Sequence, residues 1–181
     1  MKEMWLTILL LTASTIATGC FHQAEQDRQF LPQEKVSDPE FVTTWLQSNK
    51  NVDQTDAKRF FQLGMKDKAR AAWSPAAKSF GASMLLYPGP EALHEYIEAH
   101  LRGLAMVRQR EGNIQEKLEA DMAGALRLYR SALAADTVLR TLSAAERAEI
   151  QAHADCLQAY AASGRPDMDC QPLHWYYNAA R

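Results

Sequence analysis

Residues that cannot continue a helix cut this chain into helix-length pieces. Pro88-Gly89-Pro90 interrupts one run, Glu111-Gly112-Asn113 turns the next, and Ser163-Gly164-Arg165-Pro166 ends the last long one. Proline lacks the amide hydrogen that an interior turn needs, and glycine takes the left-handed backbone that closes a helix. Start signals sit between the breaks. Ser37-Asp38-Pro39-Glu40 reads as a capping box with proline early in the helix, Ser74-Pro75 as a cap, and Asn113 with Glu116 and Ser143 with Glu146 as two further starts. Each offers a side-chain oxygen to amide hydrogens that a first turn leaves unpaired. Within the pieces, apolar residues recur at helical spacing: Phe41, Val42, Trp45 and Leu46; Leu93, Ile97, Leu101 and Leu104; Ile114, Leu118, Met122, Leu126, Tyr129 and Leu133. One-sided helices of this kind must stack, which predicts an all-α fold of antiparallel hairpins.

Composition agrees. The 181 residues are 47% hydrophobic and 23% charged, with eight glycines and seven prolines, which suits one helical domain with a sizeable core. Twenty Lys and Arg stand against 22 Asp and Glu, and the net charge is −2 with no run of five like charges. A nucleic-acid binder relying on a basic face is thereby excluded.

The N-terminus carries a different signal. Trp5 to Ile16 is an apolar stretch of signal-peptide length, short of the roughly 20 residues that span a bilayer. It runs into Ile16-Ala17-Thr18-Gly19-Cys20, small residues leading to a cysteine. This resembles the lipobox of bacterial lipoproteins. The resemblance implies that residues 1–19 are a cleaved signal peptide and that Cys20 becomes the first mature residue, carrying thioether- and amide-linked acyl chains. Several chains at about 0.8 kcal/mol per buried CH₂ make a stable anchor. Phe21, where Asp would favour inner-membrane retention, implies the outer membrane, with the body facing the periplasm. Read without the resemblance, the segment is an ordinary secretory signal cleaved nearby or an uncleaved anchor. Residues 20–36, polar and Gln-rich without apolar periodicity, read as a tether.

With Cys20 lipidated, Cys156 and Cys170 remain as an even pair for an oxidising compartment. A disulfide between them closes 13 intervening residues and contributes about 3 kcal/mol in the chain-entropy model. A redox pair and two buried thiols are the other readings.

Inside the array lies a repeat. Phe60, Leu63, Gly64, Trp73, Ala76, Phe80 and Pro88 have sizes that let two helices approach at Gly64, cross closely at Ala76, fill the gap with Phe80 and stop at Pro88. These positions resemble the tetratricopeptide repeat, and Ala125-x-x-x-Tyr129-x-x-Ala132-Leu133 repeats its second-helix signature. Asp67 and Ser83 depart from it, where the family prefers an aromatic and Ala. The resemblance implies a short right-handed stack over residues 37–164 whose concave face holds peptides or partner proteins. On that face it would place Lys58, Phe61, Met65 and Lys68, followed by Glu95, Ala99 and Arg102. An irregular α-bundle, with Phe61 and Met65 in the core and the charges solvated, is the alternative.

Chemistry-bearing patterns are sparse. His94 and His100 are six residues apart, about 600° of helical rotation, whereas metal-binding pairs need i, i+4. His94 and Glu98 share a face and read as a surface hydrogen bond, while a disulfide at Cys156 would consume the thiol nearest His153. No phosphate-cradling loop, GxSxG or CxxC is present. The expectation is no enzyme, no metal and no cofactor. The tail, residues 165–181, packs Trp175, Tyr176 and Tyr177 together; it reads as an aromatic cap pinned by the disulfide, or as an exposed patch for a partner. Two functions follow. The first is an outer-membrane adaptor binding a protein or peptide in the envelope, similar to tetratricopeptide pilot lipoproteins of pilus, secretion or conjugation machines. The second is a periplasmic immunity or inhibitor lipoprotein that blocks a toxin or hydrolase.

Overall fold

Local chemistry fixes most helix ends. The computed structural model describes residues 30–112, 114–165 and 169–178; residues 1–19, Cys20, most of the tether, Asn113 and Pro166 lie outside them. A 3₁₀ turn at Gln33–Lys35 precedes α1 (Pro39–Ser48), α2 (Thr55–Lys68), α3 (Trp73–Leu86), α4 (Pro90–Glu111), α5 (Ile114–Leu139), α6 (Ala144–Ser163) and α7 (Gln171–Asn178). There is no strand among the described residues. Ser143 and Glu146 form the expected reciprocal capping box of α6. Gly112 and Gly164, at φ 71° and 63°, close α4 and α6 in the left-handed conformation.

Two starts differ from the sequence expectation. Asp38, not Ser37, caps α1: its carboxylate accepts from the amide of Phe41 at 3.1 Å. Ser74-Pro75 lies inside the first turn of α3, whose cap residue Ala72 makes no side-chain bond. A tight backbone turn sets this start instead, with Ala72 N donating to Asp67 O at 3.0 Å and Ala71 at φ 55°.

Helices α2 to α6 each pack on the next, as hairpins do. Two contacts break this order: α1 lies on α5, and α7 folds back onto α4 far more than onto its neighbour α6. α1 buries Val42, Trp45 and Leu46, and the Trp45 ring meets Tyr87 edge-on at 6.4 Å. The tether is shorter than expected. Leu31 is 1% exposed and Val36 is buried, and Leu31 N donates to Leu85 O at 2.8 Å, so two apolar side chains and one backbone bond fix the chain from Leu31 onward.

The main core runs through all of α4, α5 and α6 and reaches Leu173, Trp175 and Tyr176 of α7. A smaller cluster of Ala76, Ala77, Phe80 and Ala99 sits between α3 and α4 and the flanking Phe61, Trp73 and Tyr96. Ala99, expected on an open concave face, is fully buried there, because a methyl group fits the close approach of α3 to α4. The sulfurs of Cys156 and Cys170 lie 2.10 Å apart, at disulfide distance, tying the start of α7 to α6. No helix among the described residues is long and apolar enough to cross a membrane.

Candidate functional site

Three polar arrangements interrupt this apolar packing. The first is a groove of about 510 Å³ walled by α2, the α3–α4 corner and the end of α5. Ala57, Phe61, Tyr87, Ala92 and Leu139 give it an apolar lining, and Lys58, Gln62 and Glu91 give it charged and amide positions. Its wall is fixed from below, since Ser83 Oγ donates to Ala57 O at 2.9 Å and the Phe61 ring rests on Phe80 at 5.5 Å.

The second is an ion network between α2 and α4. Lys68 Nζ lies 2.5 Å from Glu95 and 2.7 Å from Glu98, and Arg102 reaches Glu98 at 2.9 Å. The Arg102 guanidinium stacks on Trp73 at 4.5 Å and approaches Trp175 at 5.7 Å. Burial disfavours the Lys68 charge, but the hydrogen bonds and attraction of Glu95 and Glu98 outweigh it and hold its pKa above the usual lysine value.

The structure therefore divides the residues expected on one binding face. Lys58 and Phe61 line the groove. Lys68, Glu95 and Arg102 are half-buried and satisfied by one another and by Glu98. Met65 stands 40% exposed outside the groove lining.

The third arrangement brings together residues that the sequence reading kept apart. His94 of α4 meets Glu149 and His153 of α6, with one ligand-type atom from each lying within 4.8 Å of the others. Tyr129 of α5 completes the cluster, its ring 6.0 Å from His94 and 5.4 Å from His153, and Trp175 of α7 closes over His153 at 5.2 Å. The two imidazole rings are 5.7 Å apart. His94 Nε2, His153 Nδ1 and Tyr129 Oη are all buried without a hydrogen-bond partner. Burial pushes the pKa of both histidines down, His153 to about 4 with the neighbouring His94 adding to the effect, and pushes the Tyr129 phenol well up. All three are neutral at neutral pH. The signal that could have found the site is Glu149-x-x-x-His153, the i, i+4 spacing that His94 lacks with His100.

The remaining polar burial is structural. Asp136, 1% exposed, accepts from the buried amide of Leu142 at 3.0 Å and from Arg147 Nε at 2.7 Å, locking the corner between α5 and α6. Tyr176 Oη donates to Asp121 at 2.7 Å, fixing α7 against the bundle. Set against family models, curated proteins and solved structures, the chain matches none.

Proposed function

We propose that this protein is a non-enzymatic, lipid-anchored adaptor of the bacterial outer membrane, facing the periplasm and binding a segment of an envelope protein. The observation that carries this reading is the groove of about 510 Å³, in which Phe61, Tyr87 and Leu139 offer apolar contact beside Lys58 and Glu91. A mostly apolar cleft with a few placed polar groups suits a peptide segment that presents one large apolar side chain among polar ones. Rigidity favours binding as well, since a preformed wall reduces the ordering cost of association. In the same proposal α2 to α5 form a short tetratricopeptide-like stack. The close approach of Gly64 to Phe80 supports it: a Cβ at Gly64 would stand 2.6 Å from the Phe80 ring. Cys20 supplies the anchor, and confinement to one leaflet raises the effective concentration of the groove beside membrane-bound partners.

The test is a cross-linked pull-down of the wild-type protein from detergent-solubilised envelopes, with Phe61→Glu, Lys58→Glu and Cys20→Ser alongside. Enrichment of secretin, pilus or other machine subunits that is lost in Phe61→Glu and reduced in Lys58→Glu supports the adaptor. Enrichment of a single toxin or hydrolase moves the reading to an immunity lipoprotein. Retention of every partner by Phe61→Glu removes the groove from the account. Cys20→Ser should leave the membrane fraction, and a variant that stays there without acyl mass in the wild type overturns the anchor.

A further inference from the structure

The cluster at His94 carries an inference that does not depend on the adaptor reading. A buried polar atom left without a partner destabilises the fold, and apolar residues of similar size would avoid that cost. Here three such atoms, His94 Nε2, His153 Nδ1 and Tyr129 Oη, come from three helices whose rings touch. His153, 7% exposed, is held there by Trp175 above it and by the disulfide three residues on. The third member, Glu149, is exposed. The cluster therefore has a buried floor of neutral nitrogen donors and a solvent-facing carboxylate.

The geometry points to a site for one divalent transition-metal ion of the zinc class, bound by His94, His153 and Glu149. Two imidazoles and one carboxylate form a donor set that suits zinc and leaves a fourth position for water, whereas magnesium and calcium prefer all-oxygen sets. Ligand atoms on one tetrahedral ion at about 2.1 Å stand about 3.4 Å apart, so binding draws the present separation of up to 4.8 Å inward. Glu149, the exposed member, has the greatest freedom to make that movement. The local charge also fits: Glu95 and Glu98 lie close enough to act on His94, and their attraction offsets the Lys68 cation beside them. Neither imidazole has to lose a proton to bind the ion, because burial already keeps both neutral. An ion here would join α4 to α6 and satisfy two of the three orphaned atoms.

The experiment uses the untagged full chain in detergent, stripped with a chelator and titrated with zinc by calorimetry, with cobalt as an optical probe. One ion per chain, with the intense visible bands of four-coordinate cobalt, is the expected result. His153→Gln should abolish binding, Glu149→Gln should weaken it at least tenfold, and His174→Gln, a histidine that is not one of the three ligands, should leave it unchanged. Should His153→Gln fail to fold, judged by far-UV dichroism, Glu149→Gln decides alone, since its side chain is exposed and its loss leaves the packing intact. Failure to bind zinc stoichiometrically overturns the proposal. So does binding of equal strength in wild type and Glu149→Gln, which would place the ion elsewhere on the chain. Neither result bears on whether Phe61→Glu releases a protein partner.

Discussion

Around Gly64 the protein packs carbon on carbon. Ala76, Ala77, Phe80 and Ala99 are buried with only Phe61, Trp73 and Tyr96 at their border, and the close contact is made by a glycine against a ring. Around His153 three helices bring polar groups into the interior: His94, Tyr129, His153 and, at the next corner, Asp136. The first region obtains its precision from shape alone. The second obtains it from pairing polar atoms, and wherever a pair is incomplete the fold bears a cost that shape cannot remove. The first is thus sensitive to added volume, the second to lost partners and to pH.

Removing a partner should have the largest effect. Arg147 is 52% exposed, and its replacement reads as a mild surface change, yet it neutralises a carboxylate that is 1% exposed. Arg147→Ala leaves the buried Asp136 carboxyl group without its counter-ion, with the Leu142 amide as its remaining donor among the bonds described, and should cost about 3–5 kcal/mol. Asp136→Ala should cost less, about 1–3 kcal/mol, because Arg147 can then turn into water and only the Leu142 amide is left unpaired. Urea denaturation of both variants checks the ranking, and the reverse order would show that the corner is held by the backbone rather than by the ion pair.

The next effect is on pH dependence. His153 faces His94, Glu149 and Glu98, and His94 faces Glu95, Glu98, Glu149 and Lys68; burial leads the lowering in both. A histidine whose folded pKa is depressed binds fewer protons folded than unfolded. Stability is then full above the ordinary histidine value of about 6.5 and falls as the pH drops toward about 4. For His153 the loss across that window amounts to about 3 kcal/mol. His94 and His100, also lowered by burial, add in the same direction. Chelator-treated protein should show this slope in thermal denaturation between pH 6.5 and 4, and a folded His153→Gln variant should flatten it. A wild-type melting temperature constant across that range would place the imidazole in water.

The two regions also differ in how much of them the sequence discloses. Gly64, Ala76 and Phe80 lie within 17 residues of one another, so helical spacing and side-chain size suffice to foresee that they meet. The same holds for the Ser143–Glu146 cap and for the buried stripe of Leu93, Ile97 and Leu101, each settled within one helix. His94 and His153 are 59 positions apart and meet only because α4 and α6 both pack on α5. Periodicity marks which face of a helix is buried, not which helix will cover it. The placements of α1 on α5 and of α7 on α4 were hidden for that reason, and with them the burial of Leu31 and the division of Lys68, Glu95 and Arg102 from Lys58 and Phe61. Cap residues were misjudged at Ser37 and Ser74 because several oxygens stand near each start and the backbone turn selects among them.

Volume is the test of the first region. Gly64→Ala puts a methyl carbon 2.6 Å from Cδ1 and Cε1 of Phe80, and the ring is fully buried, so α2 must move outward. The expected cost is about 1–3 kcal/mol, with Gly64→Leu at the upper end. Phe80→Leu should relieve part of it, so the double variant should lose less than the sum of the two single changes. Strict additivity would mean that the glycine and the ring do not press on each other.

The smallest effect should be the same in both regions, which makes it the control for the comparison. Ala71, between α2 and α3, and Arg140, between α5 and α6, hold φ of 55° and 54°, the left-handed conformation that a side chain resists. Backbone hydrogen bonds hold each turn: the Ala71 amide donates to Lys68 O at 2.9 Å and the Arg140 amide to Asp136 O at 2.9 Å. Glycine would remove the strain but lose more freedom on folding, so the two terms largely cancel. Ala71→Gly and Arg140→Gly should each stabilise by less than about 1 kcal/mol, with Arg140→Ala giving no gain because it keeps a Cβ. Equal gains would show that backbone strain is local and blind to the chemistry of the core beneath it. A gain at Ala71 alone, with loss at Arg140, would show instead that the Arg140 side chain belongs to the polar corner formed by Asp136 and Arg147, and that partner-dependence in the second region extends into its turns.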